Sequence, residues 1–357
     1  MCLDVVCLDG PLRCVGQWLR GIANLQDNKQ ARAAALLQGS VRRYLAHCHS
    51  VAAVRCIQQQ LRQASKKKRL ILETAASTEP ATVFVIGEMK TGKSSLLNAL
   101  LCEDVLPTDA IACTTRIATL RCGLHRTVSL RVHSTGEAAG LSLARIDAAW
   151  TTRIQNGESL ADLLARTSSN QTEALLLNSV SEVVISLNLL SLCRGYMLVD
   201  SPGLAERTDL NLLVQKHLTG QGGVRPADIV LYVVSAASGG LKERDIETLE
   251  QIPAAARDRL MVVVNKIDTI TSRSDEDESD DEEEKARKKA DLETILSTIF
   301  QQFKERGFGL LQESSYKACP HFHPINLRRV VKAQKKRRPL PIGFRRLERS
   351  IIAIVHW

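Results

Sequence analysis

A glycine-rich run near residue 90 contains the residue types that bind phosphate groups. Residues 87–94 read GEMKTGKS and match the pattern GxxxxGK[ST]. In this pattern the glycines let backbone N–H groups approach phosphate oxygens, the lysine reaches the outer phosphates, and the serine hydroxyl binds Mg²⁺. We therefore predict that Lys93 and Ser94 have these roles here. The predicted phosphate-binding loop consists of Gly87, Glu88, Met89, Lys90, Thr91, Gly92, Lys93, Ser94 and Ser95.

A second motif predicts which base the nucleotide carries. An apolar run at 261–264 leads into Asn265, Lys266 and Asp268, which form the pattern NKxD. An aspartate carboxylate can accept hydrogen bonds from both the N1–H and the 2-amino group of guanine. Adenine has an acceptor at N1 and no amino group beside it, so the same carboxylate would be left unpaired. The sequence therefore predicts a guanine nucleotide bound by Asn265, Lys266 and Asp268.

A third motif lies between the first two. An apolar run at 196–199 leads into Asp200, and the pattern DxxG ends at Gly203. At the end of a strand, this spacing places Asp200 behind a Mg²⁺-bound water and the Gly203 N–H at the γ-phosphate. Three motifs in this order are typical of a GTPase.

A switch threonine that completes the Mg²⁺ shell is expected between Ser94 and Asp200. Thr115 is the best placed of three candidates, the others being Thr108 and Thr114. The predicted Mg²⁺ ligands are Ser94, Thr115 and Asp200.

The segments around these motifs must hold them together at one edge of a sheet. The run at 81–86 predicts a buried strand before the glycine-rich loop, and the next helix begins at Ser94. Further strands are predicted at 117–122, 127–133, 182–187, 195–200, 228–234 and 260–265. Helices are predicted at 141–154, 156–165, 207–218, 241–251 and 286–305. This alternation indicates an α/β P-loop NTPase fold, with a mainly parallel sheet flanked by helices and a helical N-terminal segment.

The composition is that of a folded protein with unevenly distributed charge. Hydrophobic residues make up 44% of the 357 residues and charged residues 24%, which argues against wholesale disorder. The net charge is +9, yet the segment 274–284 has nine acids in eleven residues. We expect this acidic run to be a solvated loop, because it has no apolar periodicity.

The basic segment at 328–349 leaves three interpretations open. It could face anionic lipid, it could be a nuclear address or nucleic-acid patch at 335–339, or it could be an ordinary solvated face. Aromatic residues make up 4% of the chain, and none interrupts the basic run before Phe344. Because base stacking needs aromatic side chains, nucleic acid is the disfavoured partner.

Other features predict the compartment. No window approaches the roughly 18 uninterrupted apolar residues of a spanning helix. The first nine residues contain two acids and no basic residue, which argues against a secretory signal or a transit peptide. Ten cysteines without a CxxC pair indicate reduced thiols, and the Cys/His clusters at 47–49 and 319–323 lack partner ligands for a metal. We expect a cytoplasmic protein, with peripheral membrane association as the alternative.

Together the motifs resemble the G domain of the dynamin-like large GTPases, most of all their bacterial and organellar branches. The resemblance covers about 80–355 and includes the stretches 96–101, 104–108 and 227–236. The 107 residues from Lys93 to Asp200 also exceed what small signalling GTPases need. The resemblance implies binding of GTP and GDP, Mg²⁺-dependent GTP hydrolysis, a homodimer formed through G domains, and membrane remodelling.

Two residues depart from the family pattern. Lys90 stands where dynamins usually carry a small hydroxyl residue. At this position the loop is similar to that of guanylate-binding proteins and atlastins, which place an arginine finger there. We predict that Lys90 supplies positive charge in cis, although it could equally be a solvent-facing loop lysine. Leu204 cannot position water as a glutamine would. The predicted catalytic residues are Lys90, Lys93, Thr115 and Gly203.

Length is the other departure, because dynamin-like proteins have a long stalk after the G domain and this sequence ends at Trp357. We predict a helical segment at 1–75, a dynamin-type GTPase domain at 76–330 containing the acidic loop 274–284, and a basic segment with a short helix at 331–357. Asn326 is a weak candidate in the last base-binding loop. The alternative function is a slow or non-hydrolysing nucleotide-gated switch that engages a protein, an anionic membrane or a longer dynamin-like partner.

Overall fold

The computed structural model describes most of the chain from residue 79 onward. The described ranges are 79–108, 117–132, 137–159, 171–189, 195–201, 208–221, 225–271, 282–308 and 313–355, with a few isolated positions besides. Of the helical segment predicted at 1–75, only some positions between 59 and 73 are described, and these are helical. The predicted N-terminal segment otherwise lies outside the described residues.

An eight-stranded sheet forms the centre of the part that the structure describes. The strands are β1 (Ala81–Ile86), β2 (Ile117–Cys122), β3 (Thr127–Val132), β4 (Val180–Leu187), β5 (Tyr196–Asp200), β6 (Ile229–Ser235), β7 (Leu260–Asn265) and β8 (Phe322–Pro324). Their spatial order is β3-β4-β2-β5-β1-β6-β7-β8. The apolar, β-branched composition of β1, β6 and β7 matches their central positions, where both faces are covered.

Most of the strand pairs are parallel, as the sequence predicts. Strand β1 pairs in parallel with β5 on one side and β6 on the other, and β7 and β8 continue in the same direction. Strands β2 and β5 are antiparallel, as are β3 and β4. Because β1, β5, β6, β7 and β8 point the same way, their carboxyl ends meet at one edge, where ligands bind in open α/β sheets.

The helices alternate with these strands. They are α1 (Lys93–Leu101), α2 (Glu137–Gln155), α3 (Gln171–Asn178), α4 (Thr208–Thr219), α5 (Glu243–Glu250), α6 (Ala254–Arg257), α7 (Asp268–Thr271), α8 (Glu282–Glu305), α9 (Leu327–Lys335) and α10 (Ile342–Val355). The mixed α/β fold with flanking helices is therefore confirmed.

Some predicted boundaries were wrong. The helix predicted at 156–165 does not begin at 156, because Gly157 has a φ of 90° and the chain turns there after α2. Most of 160–170 lies outside the described residues. Helix α8 begins at Glu282, so the end of the predicted acidic loop is helical, and acids there are favourable at a helix N-terminus. Residues 272–281 are outside the described part. Helices α3, α6, α7 and α9 and strand β8 were not predicted.

Each face of the sheet has its own hydrophobic core. Val83 and Val85 of β1 lie in a cluster with apolar residues of α1, α9 and α10. Phe84 and Ile86 face the other way, into a cluster with residues of α4 and α8. Within the basic C-terminal segment, Phe344 is fully buried in the first cluster. Helices α9 and α10 therefore pack directly on the sheet.

Candidate functional site

The glycine-rich loop begins where β1 meets its neighbour β6. Gly87 has a φ of 145°, and a Cβ atom at this position would lie 2.4 Å from the carbonyl oxygen of Val233 in β6. No larger residue fits this approach of two backbones. The loop therefore leaves the carboxyl end of β1 close to the sheet, as the predicted phosphate-binding role requires.

The loop ends at a second position that only glycine can occupy. Gly92 has a φ of 99° and precedes the first residue of α1. A Cβ atom there would lie 2.4 Å from Nδ2 of Asn265, which follows β7. The same Nδ2 donates a hydrogen bond of 2.9 Å to the carbonyl of Thr91. The glycine-rich loop and the NKxD motif are thus joined directly, through residues 174 positions apart in sequence.

Lys93 is the buried cation of the site. Its side chain lies under the loop, and the residue is only 6% exposed. Its Nζ donates to the carbonyl oxygens of Gly87, at 3.1 Å, and Glu88, at 3.0 Å. These contacts hold the ammonium group inside the loop and close to where the sequence predicts the phosphates.

Ser94 and Asp200 connect the first and third motifs. The Ser94 hydroxyl donates to Oδ2 of Asp200 at 2.8 Å, and Asp200 is completely buried at the end of β5. Burial raises the pKa of the Asp200 carboxyl to about 6, although the Lys93 charge and the Ser94 hydroxyl favour the ionised form. A buried carboxylate in this state gains from any cation brought beside it.

The side chains of Ser94 and Asp200 also have the oxygen atoms that a Mg²⁺ ion needs. Oδ1 of Asp200 has no hydrogen-bond partner among the described residues, although it is fully buried. A hard cation such as Mg²⁺ prefers hydroxyl and carboxylate oxygens and keeps several waters. Ser94 and Asp200 offer such oxygens next to each other. The group therefore suits a hydrated Mg²⁺ ion.

The NKxD motif lies at the carboxyl end of β7. Asn265 is buried and holds the glycine-rich loop, as described above, whereas Lys266 has a left-handed φ of 60°. The Asp268 carboxylate opens α7 and lies 3.5 Å from a guanidinium nitrogen of Arg328. Asp268 is largely shielded, with a side chain 14% exposed.

The loop after β8 completes this edge of the sheet. Leu327, the first residue of α9, would contact a Cβ atom at Gly92 at 3.7 Å. The Asn326 side chain accepts a hydrogen bond of 2.8 Å from the Arg329 N–H and caps α9. This segment therefore lies beside the site. Asn326, the weak candidate for base binding, caps α9 with its side chain.

The remaining loop residues differ in exposure. Met89 and Lys90 are exposed, and Lys90 adopts a left-handed φ of 59°. Thr91 is buried, with its hydroxyl donating to the Glu88 carbonyl at 2.9 Å. The Glu88 carboxylate pairs with Lys242 at 3.0 Å. Ser95 is half-buried in α1.

The structure brings together Lys93, Ser94, Asp200, Asn265 and Asp268 at one edge, as expected. Their nucleotide and metal contacts remain predictions. Thr115 and Gly203, predicted as catalytic, lie outside the described residues. Sequence reasoning missed Lys242, Leu327 and Arg328. Lys242 and Arg328 are not part of a local motif, and Leu327 is an apolar residue that directly follows the weak candidate Asn326.

Comparisons with known proteins agree with this geometry. A sequence model of the dynamin family matches residues 83–267, which is more than half of the chain. A bacterial dynamin-like protein from Nostoc punctiforme (strain ATCC 29133 / PCC 73102) is 28% identical over 158 residues. That match covers 43% of this chain and 20% of the relative, so the chain spans about a fifth of that protein.

A solved structure supports the fold. The chain is similar to one chain of an oligomerised bacterial dynamin pair, described as providing a mechanism for the long-range sensing and tethering of membranes. The TM-score is 0.50 at 17% identity, over 88% of this chain and 41% of the other. Likeness at this identity establishes the architecture. Among the described residues, no helix is both long and apolar enough to cross a membrane.

Proposed function

This chain belongs to the dynamin family and contains its GTP-binding domain, and we propose that it hydrolyses GTP to GDP and phosphate with Mg²⁺. One observation carries the proposal. The Ser94 hydroxyl, the buried Asp200 carboxylate and the Lys93 ammonium group meet at the carboxyl ends of β1 and β5. Such a combination of one cation, one hydroxyl and one acid is what a Mg²⁺-bound triphosphate needs.

At the phosphate end, the chain supplies charge and backbone donors. The N-terminus of α1 and the loop N–H groups favour an anion, and Lys93 adds a positive charge that is already desolvated. The Gly87 and Glu88 carbonyls that now accept from Lys93 hold its Nζ near the phosphate position. Mg²⁺, when bound, would neutralise charge on the β- and γ-phosphate oxygens.

At the base end, Asp268 would accept from both N1–H and the 2-amino group of guanine. Arg328 now neutralises this carboxylate across 3.5 Å, so guanine would replace or share an ion pair. Asn265 acts indirectly, because its amide fixes the glycine-rich loop through the Thr91 carbonyl. The two ends of the nucleotide would thus be bound by one connected structure.

Catalysis would depend on positive charge at the γ-phosphate. We propose that Lys90, exposed at the tip of the loop, contributes this charge in cis, while Thr115 and Gly203 orient water and phosphate. A lysine lacks the planar fork of arginine, so its contribution should be smaller than that of an arginine finger.

The proposal extends to membranes and to self-association. Family membership and the likeness to a membrane-tethering bacterial dynamin pair support a dimer through G domains and a role in membrane remodelling. A cytoplasmic protein that attaches peripherally to a membrane fits this role.

Turnover of GTP and ATP by the purified chain, measured over a range of protein concentrations, tests the proposal. GTP turnover that exceeds ATP turnover and rises per molecule with concentration would support a self-stimulating GTPase. An Asp200→Asn variant should lose this activity, whereas an Asp258→Asn variant on the exposed turn after α6 should keep it. Tight GTP binding with negligible turnover would instead indicate the nucleotide-gated switch.

A further inference from the structure

Helix α9 and the turn after it form a strongly basic surface. Between residues 326 and 347 the chain has nine arginine and lysine residues and no acid. We define the basic surface as the exposed arginine and lysine residues of α9 and of the turn that follows it. These are Arg328, Arg329, Lys332, Lys335, Lys336, Arg337 and Arg338.

The opposite face of α9 is fixed to the protein. Leu327, Val330 and Ala333 are buried and belong to the core. Gln334 donates to the Ala99 carbonyl at 2.7 Å, which ties α9 to the end of α1. The helix therefore cannot turn its apolar side outward, and any partner meets its charges.

Little of this charge is neutralised within the protein. Arg328 pairs with Asp268 at 3.5 Å. Among the described residues, Lys332, Lys335 and Lys336 make no ion pair within 4.0 Å. The like charges must therefore repel one another unless an anionic partner is present.

We propose that the basic surface docks this protein on membranes that contain anionic phospholipid. The inference rests on the proposed membrane role and assigns it to a surface. Long, flexible lysine and arginine side chains on one helix face can reach many headgroups of a flat anionic layer at once. The partner is lipid because the charges are spread along α9 and continue through the turn to Arg338.

A neighbouring apolar side chain favours lipid over nucleic acid. Ile342 begins α10, four residues after Arg338, and is 77% exposed. An exposed isoleucine beside a basic cluster gains from contact with the acyl boundary of a bilayer but gains little from RNA. The basic surface has no exposed aromatic residue for base stacking, since Phe344 is buried.

Docking through this surface would orient the nucleotide site relative to the membrane. Leu327 lies next to Gly92 of the glycine-rich loop, and Arg328 reaches Asp268. The N-terminal end of α9 therefore lies beside the base-binding end of the site. A membrane bound to α9 lies on the base side of the site.

Vesicle co-sedimentation of the full chain tests the inference, using phosphatidylcholine vesicles with and without phosphatidylserine. We expect binding only to the anionic vesicles, and weaker binding at higher ionic strength because salt screens the charges. A Lys332→Glu/Lys335→Glu variant should bind at least about 25-fold more weakly, since each basic residue near an anionic bilayer contributes about a factor of five.

A matched control separates this surface from net charge. Arg287→Glu/Lys289→Glu places the same charge change on the exposed face of α8, and it should keep binding within about threefold of the native chain. Ile342→Ser should weaken vesicle binding by about threefold or more. Circular dichroism and thermal unfolding establish that each variant is folded.

Two results would overturn the inference. One is equal vesicle binding by the α9 variant and the native chain. The other is binding of a single-stranded RNA oligonucleotide, lost in the α9 variant, without binding to anionic vesicles. GTP turnover measured without vesicles does not depend on these two binding results, because Lys332 and Lys335 are outside the nucleotide site. Failure of membrane docking can therefore be distinguished from failure of the proposed GTPase activity.

Discussion

Among the described residues, buried polar groups converge at one place in the sheet and stand alone at another. At the ends of β1, β5 and β7, Lys93, Asp200 and Asn265 are nearly or fully buried and are linked to one another's loops. In the short edge strand β8, His323 is also fully buried, yet neither ring nitrogen makes a hydrogen bond among the described residues.

The difference is one of position along the strand. The first group lies where parallel strands end and loops begin, so several polar atoms point toward one volume. His323 lies within its strand, opposite Val263 of β7, and not at the strand end where the loops begin. Burial lowers the pKa of His323 to about 3, and the Arg346 charge adds to this, so the ring stays neutral. Burial of a polar group indicates a ligand site only where such groups converge.

Among the substitutions at the predicted nucleotide site, Lys93→Ala should cause the largest loss of GTP affinity. Removal of the buried ammonium group leaves the phosphates without their nearest positive charge, and charge-assisted contacts of this kind are strong in a desolvated site. We expect at least about a 100-fold loss of GTP affinity, measured with a fluorescent GTP analogue. Lys289→Ala on α8 is the control, and retention of GTP affinity by Lys93→Ala would contradict the assignment.

His323→Leu tests whether the isolated buried histidine of β8 lowers the stability of the protein at acid pH. A histidine in the unfolded chain has a pKa near 6.5, whereas burial lowers the pKa of His323 in the folded chain to about 3. As pH falls below 6.5 the unfolded chain alone binds this proton, so the free energy of unfolding decreases. The native chain should therefore lose about 2 kcal/mol relative to His323→Leu between pH 7 and pH 5.

Urea unfolding at the two pH values measures this difference. The His125→Leu substitution, at an exposed position, serves as the control. Equal pH dependence in the native chain and His323→Leu would mean that His323 is not kept neutral by its surroundings.

Asp268→Asn sharpens the prediction of base selectivity. Asparagine replaces one acceptor oxygen by a donor, which opposes the guanine 2-amino group and matches the 2-oxo group of xanthine. We expect the preference for GTP over ATP to fall about 10- to 100-fold and XTP binding to improve. Competition binding with the three nucleotides measures this, and unchanged selectivity would place the base elsewhere.

Lys90→Ala should have a smaller effect, confined to turnover. If Lys90 stabilises charge that develops during hydrolysis, kcat falls about 3- to 10-fold while KM changes little. Lys90→Arg should retain or raise kcat, because the charge remains. Steady-state kinetics separate the two constants. An unchanged kcat in Lys90→Ala would mean that this exposed residue is a solvent-facing loop lysine.

Local motifs account for what could be predicted. Strands β1, β5 and β7 and the convergence of Lys93, Ser94, Asp200 and Asn265 follow from apolar runs that end in motif residues. Strands β2, β3, β4 and β6 were predicted without such a motif at their ends. The order of the strands along the edge of the sheet supplies the rest of the geometry.

Non-local contacts account for what could not be predicted. Strand β8 has three residues and forms only because β7 offers a free edge. Helix α9 is locally a basic run, and its position depends on Leu327 and Val330, which belong to the same core cluster as residues of α1 and the sheet. The pairing of Arg328 with Asp268 depends on that docking, so no sequence pattern near either residue could indicate it.

The most direct test of the central claim is the Mg²⁺ dependence of nucleotide affinity, measured for the native chain and for Asp200→Asn. The native chain should bind GTP at least about 100-fold more tightly than ATP and should lose much of this affinity when Mg²⁺ is chelated. In Asp200→Asn, chelation should change the affinity little. Equal affinity for GTP and ATP, or an equal response to chelation in both proteins, would contradict the assignment of Ser94 and Asp200 to a Mg²⁺-GTP site.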